Sequence, residues 1–356
     1  MLESINKQKY DKENIKIFVV ADNCTDNTAE YASLGGAIVY ERNDKKEIGK
    51  GYALDFLIKK IDENYNLDNF DGFFIFDADN LLDENYISEM NKSFNDGNEI
   101  ITSYRNSKNY ATNWITAGYS LWFLREAKFL NNPRVILNTG CAISGTGFFI
   151  STNIIKENRG WPFHLLTEDI EFSIHSAIKG NFISYCEKAI FYDEQPITFS
   201  QSWNQRMRWT KGFYQVFGKY GVDLIKTIFK KRSFYAFDMF MTIVPGMIIT
   251  SITIAINILI IFIGYFLKIN IEPILNLLLS AITTLYIVLF IIGLITTITE
   301  WKRIHCKNIF KIMYIFTFPI FIFTYMPIAI IAMFSKVNWK PITHTSSKSI
   351  DDIRGK

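Results

Sequence analysis

GFFIFDADN, residues 72–80, sets an uncharged aromatic run directly ahead of two aspartates that flank one alanine. A short apolar run closed by a polar turn is the pattern of a buried strand. Open α/β sheets bind ligands beyond the carboxyl ends of their strands, and Asp77, Asp79 and Asn80 fall there. Working outward, the pattern repeats. IKIFVVA (Ile15 to Ala21) is closed by Asp22 and Asn23, AIVY (Ala37 to Tyr40) is another short run, and EIITSY (Glu99 to Tyr104) follows later. Helices are predicted between these runs. TDNTAEYASLG is capped near Thr25 or Asp26, GKGYALDFLIKKI gathers Ala53, Leu54, Leu57, Ile58 and Ile61 on one face, and a further helix covers Asn85 to Phe94. Strands alternating with helices predict an α/β fold with a mainly parallel sheet covered on both faces. An aromatic-rich helix (Asn113 to Leu130) comes next. CAISGTGFFIS then carries Gly145-Thr146-Gly147, a turn that lets backbone approach a neighbour closely.

A chain of 356 residues suits about two domains. Its 49% hydrophobic content is unevenly spread, because little charge appears from Phe237 onward. Three apolar stretches, Asp238 to Leu267, Ile274 to Thr299 and Ile309 to Phe334, each exceed the ~20 residues that a membrane-crossing helix needs. They are expected to span, giving a soluble domain (1–235), three transmembrane helices (236–334) and a polar tail (335–356). The segment from Gln201 to Tyr220, with Trp203, Met207, Trp209, Phe213 and Phe217, fits an amphipathic helix suited to the membrane interface. Lys302, Arg303 and Lys307 favour the cytoplasm, yet three crossings then send Lys336, Lys340 and Lys348 outward, so the charge rule is divided. A net charge of +3 without a basic stripe speaks against nucleic acid. Cys24, Cys141, Cys186 and Cys306 are scattered, which suggests neither a zinc site nor a disulfide framework. The polar N-terminus has no signal-peptide core.

Two carboxylates either side of a small residue can aim at one divalent cation, and hard oxygen donors prefer Mg²⁺ or Mn²⁺. A solvated turn is the plainer account of Asp77-Ala-Asp79. Asp22 ends a strand on the same sheet edge, where it either accepts from a nucleoside or caps the next helix. Lys50 opens a helix and either pairs with phosphate or stays solvated. Thr167-Glu168-Asp169 begins a helix with acidic residues; Asp169 is either part of that cap or a general base. His164 nearby reads as structural. In Gln205-Arg206-Met207-Arg208-Trp209 helical spacing groups Gln205, Arg208 and Trp209. Arg holds diphosphates by paired hydrogen bonds and Trp stacks on sugars, although an interfacial helix uses the same residues without chemistry.

With these motifs in this order, the chain from about Ile15 to Gly221 resembles the membrane-bound family 2 glycosyltransferases, the branch with cellulose, chitin and hyaluronan synthases. The resemblance implies a GT-A fold and inverting transfer from a nucleotide-activated sugar, usually a UDP-sugar, to a glycan or lipid hydroxyl. It implies a divalent metal and a cytosolic catalytic domain on a multi-pass membrane protein. By it Asp22 contacts the base, Asp77 the donor and Asp79 the metal, while Asp169 is the catalytic base. Lys50 joins the donor site. Gln205 and Arg208 embrace the diphosphate, Trp209 the acceptor end, and Gly145-Thr146-Gly147 lies below the acceptor sugar. Two departures are expected to matter. The family's opening strand, with its P-x-x-N-E-like turn, is not matched here, so the Ile15 to Ala21 strand should lack a central neighbour and the nucleotide pocket one wall. An F-x-V-T-like gating segment is not found either, which leaves polymerisation and single-sugar transfer both open. The alternative is a catalytically silent or truncated membrane subunit that binds nucleotide-sugar or a partner synthase.

Overall fold

The computed structural model describes residues 1–243, 245–268, 270, 272–337 and 348–354. A short helix, α1 (Leu2–Asn6), precedes a parallel pair. β1 (Phe18–Asp22) and β2 (Ile38–Arg42) run side by side, joined by α2 (Thr28–Leu34), so that Asp22 lies opposite Arg42. α3 (Lys50–Tyr65) buries Ala53, Leu54, Ile58 and Ile61, the face expected from their spacing. β3 (Gly72–Ile75) then enters a second sheet with β4 (Leu81–Leu82), β5 (Ile100–Ser107), β6 (Phe148–Ser151) and β7 (Ile183–Asp193), in the order β3-β6-β5-β7-β4. α4 (Tyr86–Asn95) and α5 (Trp114–Glu126) flank it. A π-helical turn over Ala127–Asn131 and α6 (Asn132–Ile136) extend α5, and α7 (Thr152–Glu157) and α8 (Glu168–Lys179) follow β6.

The α/β class holds, but the sheet is mixed. The two longest pairings, β1 with β2 and β5 with β7, are parallel; β3–β6, β6–β5 and β7–β4 are antiparallel. The reason is the path of the chain. It crosses the carboxyl end of the sheet before β6, which must therefore run back between β3 and β5, with Phe148 opposite Ile75. The same reversal places the glycine-flanked turn of residues 145–147 beside the end of β3.

Among the described residues no strand but β2 pairs with β1, and none but β6 pairs with β3. Between β1 and β3 lies a cavity of about 750 Å³ lined by Phe18, Val20, Leu54, Ile58, Phe74 and Asp77, among others. This is where the expected central neighbour of β1 is lacking.

α9 (Phe199–Lys231) is longer than the interfacial segment read from sequence. α10 (Phe234–Ile243) and α11 (Pro245–Phe266) divide the first apolar stretch, part of which lies outside the described residues. α12 (Glu272–Thr299) is long, apolar and almost wholly unburied by protein. α13 (Asn308–Phe323) and α14 (Tyr325–Phe334) form one 27-residue apolar run, 39% of its most apolar window buried, that breaks at Thr324. Length and composition make α12 and this run two candidate membrane helices. Much of the polar tail lies outside the described residues; α15 (Ile350–Arg354) is described. The main core joins Leu54 and Ile58, Ile100 and Tyr104, and Trp161 and Phe163 to Ile304, Tyr314 and Phe318. Packing therefore runs unbroken across the boundary drawn at residue 235.

Candidate active site

Three chain segments are stitched together at the carboxyl end of β3. The Asp77 N–H donates to Thr146 Oγ1 at 2.8 Å and to Asn80 Oδ1 at 3.1 Å, and Thr146 Oγ1 donates to Asn80 Oδ1 at 2.6 Å. Gly147 N–H donates to Ile75 O at 2.9 Å. Gly147 has φ +69°, and a Cβ there would lie 2.2 Å from the Phe191 ring, so only glycine fits. Lys50, at the start of α3, reaches into this junction: its Nζ lies 2.5 Å from Asp77 Oδ1 and 2.7 Å from Gly145 O. Burial works against the Lys50 ammonium, but Asp77, Glu168 and Asp169 outweigh it and hold its pKa above the usual value. Asp79 accepts from the Glu194 N–H at 2.8 Å and from Asn80 Nδ2 at 3.2 Å. These bonds fix the direction of its carboxylate.

Glu168 and Asp169 occupy the first turn of α8, where backbone N–H groups and the helix dipole favour negative charge. Burial nevertheless raises the Asp169 pKa, against N–H donors from Ile170 and Gly145 and the charge of Lys50. Burial first, then the Asp169 charge, pushes Glu168 up to about 7, with Lys50 and Arg208 pulling the other way. A Cβ on Gly145 would stand 4.0 Å from Asp169 Oδ2 and 4.0 Å from Arg105 Nη1, so the turn and the acid face each other closely.

α9 lies directly on this helix. A Cβ on Gly212 would fall 2.4 Å from Thr167 Oγ1, Gln215 Oε1 accepts from Leu166 N–H at 3.2 Å, and Lys219 pairs with Glu171 at 2.6 Å. Arg208 is thereby close enough to lower the Glu168 pKa. Gln205 Oε1 is buried with no hydrogen-bond partner. Trp209 stands edge-on to Tyr119 (5.7 Å) and Phe123 (6.3 Å), held by the aromatic face of α5.

The structure thus brings Lys50, Asp77, Asp79, Gly145, Thr146, Gly147 and Asp169 into one cluster, with Arg208 beside it. Asp22 sits apart, on β1 across the cavity. Its Oδ1 accepts from Arg42 Nη1 at 2.8 Å, and Arg42, buried, also donates to Glu47 O. Sequence reasoning missed Arg42, whose only signal was a basic residue ending a strand. It also missed Arg105, which binds Asp193 through Nε at 2.7 Å, donates to Ser144 O at 2.8 Å and lies 3.7 Å from the Phe123 ring centre. Lysine 50, for which a solvated role was open, is a junction. His164 stacks on Tyr52 at 4.3 Å, in keeping with its structural reading.

Among the described residues no group of three or more His, Cys, Asp or Glu side chains closes around an ion. Magnesium-type sites commonly use one or two carboxylates and complete their shell with substrate phosphates. Asp77 and Asp79 supply that number and the hard oxygen donors, so the residues fit such an ion.

Acidic and basic side chains thus gather at the ends of strands beside a glycine-flanked turn, in an α/β fold. The family model "Glycosyl transferase family group 2" matches residues 72–336, and the chain belongs to that family. It is 25% identical over 258 residues to the probable glycosyltransferase YdaM of Bacillus subtilis (strain 168), covering 65% of this chain and 54% of that protein. It is 23% identical over 242 residues to the poly-beta-1,6-N-acetyl-D-glucosamine synthase of Staphylococcus aureus (strain COL), with the same two shares. The chain spans about half the length of the curated relatives it matches. The crystal structure of S. aureus TarS 1-349 in complex with UDP aligns at TM-score 0.46 and 15% identity over 92% of this chain and 86% of that one, too distant to bear on function.

Proposed function

We propose that the chain transfers a sugar, with inversion, from a nucleotide-diphosphate donor of the UDP-sugar type to a hydroxyl of a glycan or lipid acceptor at the cytosolic face of a membrane. The observation that supports this best is the cluster itself: a half-buried acid, Asp169, facing a glycine-flanked turn that Lys50 ties to the Asp77 loop. Asp169 takes the proton from the acceptor hydroxyl as that oxygen forms its bond to the anomeric carbon. The bond from that carbon to the diphosphate oxygen breaks, and the nucleoside diphosphate leaves with the electron pair. Lys50 and Arg208 face the charge that develops on it. Gln205 Oε1, a buried acceptor without a partner, suits a donor or acceptor hydroxyl. Trp209 offers an aromatic wall for the acceptor sugar, with Gly145, Thr146 and Gly147 beneath it and Asp22 toward the nucleoside. Asp79, with Asp77, would hold Mg²⁺ or Mn²⁺, which when bound neutralises diphosphate charge.

Asp169→Asn tests the reading. Transfer should fall by about 10²–10⁴-fold, the usual worth of a general base, while nucleoside-diphosphate affinity stays within a factor of three or so. Retained transfer, or lost binding, would remove Asp169 from the role. A second reading, a subunit that binds donor without turnover, is favoured by the open cavity between β1 and β3 on the nucleotide side. Nucleotide binding by the wild-type chain with no nucleotide release would support it.

A further inference from the structure

The proposed chemistry leaves Arg105 unused, although one guanidinium there touches three separate parts of the site. Arg105 lies in β5 opposite Phe191 of β7, just past the register shift between Ser103 and Tyr104, and such irregularities re-aim the side chains beside them. Its side chain is only 15% exposed, so protein groups rather than water must meet its charge. Nε donates to Asp193 Oδ2 at 2.7 Å, and Nη2 donates to the same carboxylate. The centre of the guanidinium stands 3.7 Å from the Phe123 ring centre. A guanidinium is a rigid planar fork. With one edge tied to Asp193 and one face on Phe123, the direction of Nη1 is fixed, and Nη1 donates to Ser144 O at 2.8 Å.

What Nη1 holds is one end of a peptide bond. The Ser144 C=O and the Gly145 N–H belong to the same planar unit and point in opposite directions. With the carbonyl drawn to Arg105, the N–H is turned to Asp169, where it favours the carboxylate over the acid. The Ser144 hydroxyl is tied as well: it donates to Glu126, the last residue of α5 before the π-helical turn. The opposite edge of the guanidinium leads to the other end of the site. Asp193 is buried, and the N–H of the next residue, Glu194, donates to Asp79 Oδ2 at 2.8 Å.

Resting on the reading of Asp169 as general base, we propose that Arg105 is a positioning residue that orients this base through the Ser144–Gly145 peptide and holds it in one frame with Asp79. It acts through other groups, not on the substrate. A lysine could not replace it. One ammonium reaches either Asp193 or Ser144 O, and it has no flat face to lay on Phe123. Loss of the fork therefore frees the peptide to rotate, and Asp169 loses a donor that orients it.

Arg105→Lys in the full chain, purified in detergent, tests this because it keeps the charge and removes the fork. Hydrogen exchange across residues 144–147 should quicken by at least about 10-fold, with α3 staying within about 3-fold of wild type. The transfer rate at saturating donor should fall about 10²-fold, the effect of misplacing reacting groups by about 1 Å, while nucleoside-diphosphate affinity stays within about 3-fold. The acid limb of the pH–rate profile should move to higher pH, since Asp169 loses a donor to its charged form. The other charges around this acid, Lys50 from α3, Glu168 beside it on α8 and Arg208 from α9, are the same in both proteins. Unchanged exchange, an unshifted acid limb or a loss confined to nucleotide binding, with an active wild type, would overturn the positioning role alone. A wild-type chain that releases no nucleotide would remove the general base and the positioning role with it. Arg105→Gln, able to donate to Asp193 but too short for both partners, guards against a folding defect peculiar to lysine. It should repeat the faster exchange and slower transfer, and a wild-type rate in it would refute the proposal.

Discussion

Gly145 and Gly147 flank one threonine, and the structure assigns a methyl group at each a different fate. At Gly147 the backbone is left-handed (φ +69°), which costs an alanine about 1–2 kcal/mol. The new Cβ would also press to 2.2 Å from Phe191, a ring 1% exposed and unable to move aside. Overpacking of that kind adds about 1–3 kcal/mol, for a total of about 2–5 kcal/mol. At 2–4 °C per kcal/mol for a domain of this size, the Gly147→Ala midpoint should fall by roughly 4–20 °C. At Gly145 the left-handed cost recurs (φ +83°), but the nearest atoms, Arg105 Nη1 and Asp169 Oδ2, are 4.0 Å away. Gly145→Ala should therefore lose only about 1–2 kcal/mol, or roughly 2–8 °C. Its methyl group, however, stands beside Asp169, where the proposed acceptor hydroxyl would come. Misplacement of reacting groups by about 1 Å costs on the order of 10²-fold in rate, so Gly145→Ala should be nearly stable and poorly active. Thermal unfolding followed by tryptophan fluorescence, with transfer rates on the same samples, reads both effects. Equal destabilisation of the two variants would refute the packing argument; a fully active Gly145→Ala would show that the turn does not border the acceptor.

Lys50→Met removes an ammonium from between Asp77 and Gly145 O; a charged hydrogen bond of about 1.5–3 kcal/mol corresponds to a loss of roughly 10–150-fold in nucleoside-diphosphate affinity, measurable by calorimetry. Glu168, with a folded pKa of about 7 against an unfolded 4.5, contributes stability that is fully present below pH 4.5 and is lost as pH rises through 7. Glu168→Gln should flatten that slope, raising the midpoint at pH 8 relative to wild type and leaving it little changed at pH 4; parallel profiles would show that Glu168 titrates as in water. Excess chelator should abolish transfer, and Mn²⁺ or Mg²⁺ should restore it, whereas equal turnover in chelator would remove the metal from Asp79.

What the sequence made legible was local. The end of β3, the buried face of α3 and the acidic opening of α8 each rest on a pattern within about ten residues. β6 was overlooked because four residues in a glycine-rich stretch give no period, and β7 because Glu187 and Lys188 interrupt it at the register shift after Cys186. The pairings that build the site are remote. Lys50 reaches 95 residues along the chain to Gly145, Arg105 reaches 88 to Asp193 and Arg206 reaches 118 to Thr324. No single-sequence spacing encodes such contacts. The expectation of three spans came from length and composition, which α12 and residues 308–334 meet among the described residues, while part of the first stretch lies outside them.

The two halves of the site consequently rest on different supports. The proposed donor half, Lys50, Asp77 and Asp79, is held by strand ends and the turn before β6. Trp209 is positioned otherwise: Tyr119 and Phe123 hold its ring, and Phe321 of α13 packs on Tyr119. The antiparallel strand β6 brings the Gly145 turn to Asp169. α5 and α13 together place Trp209 instead.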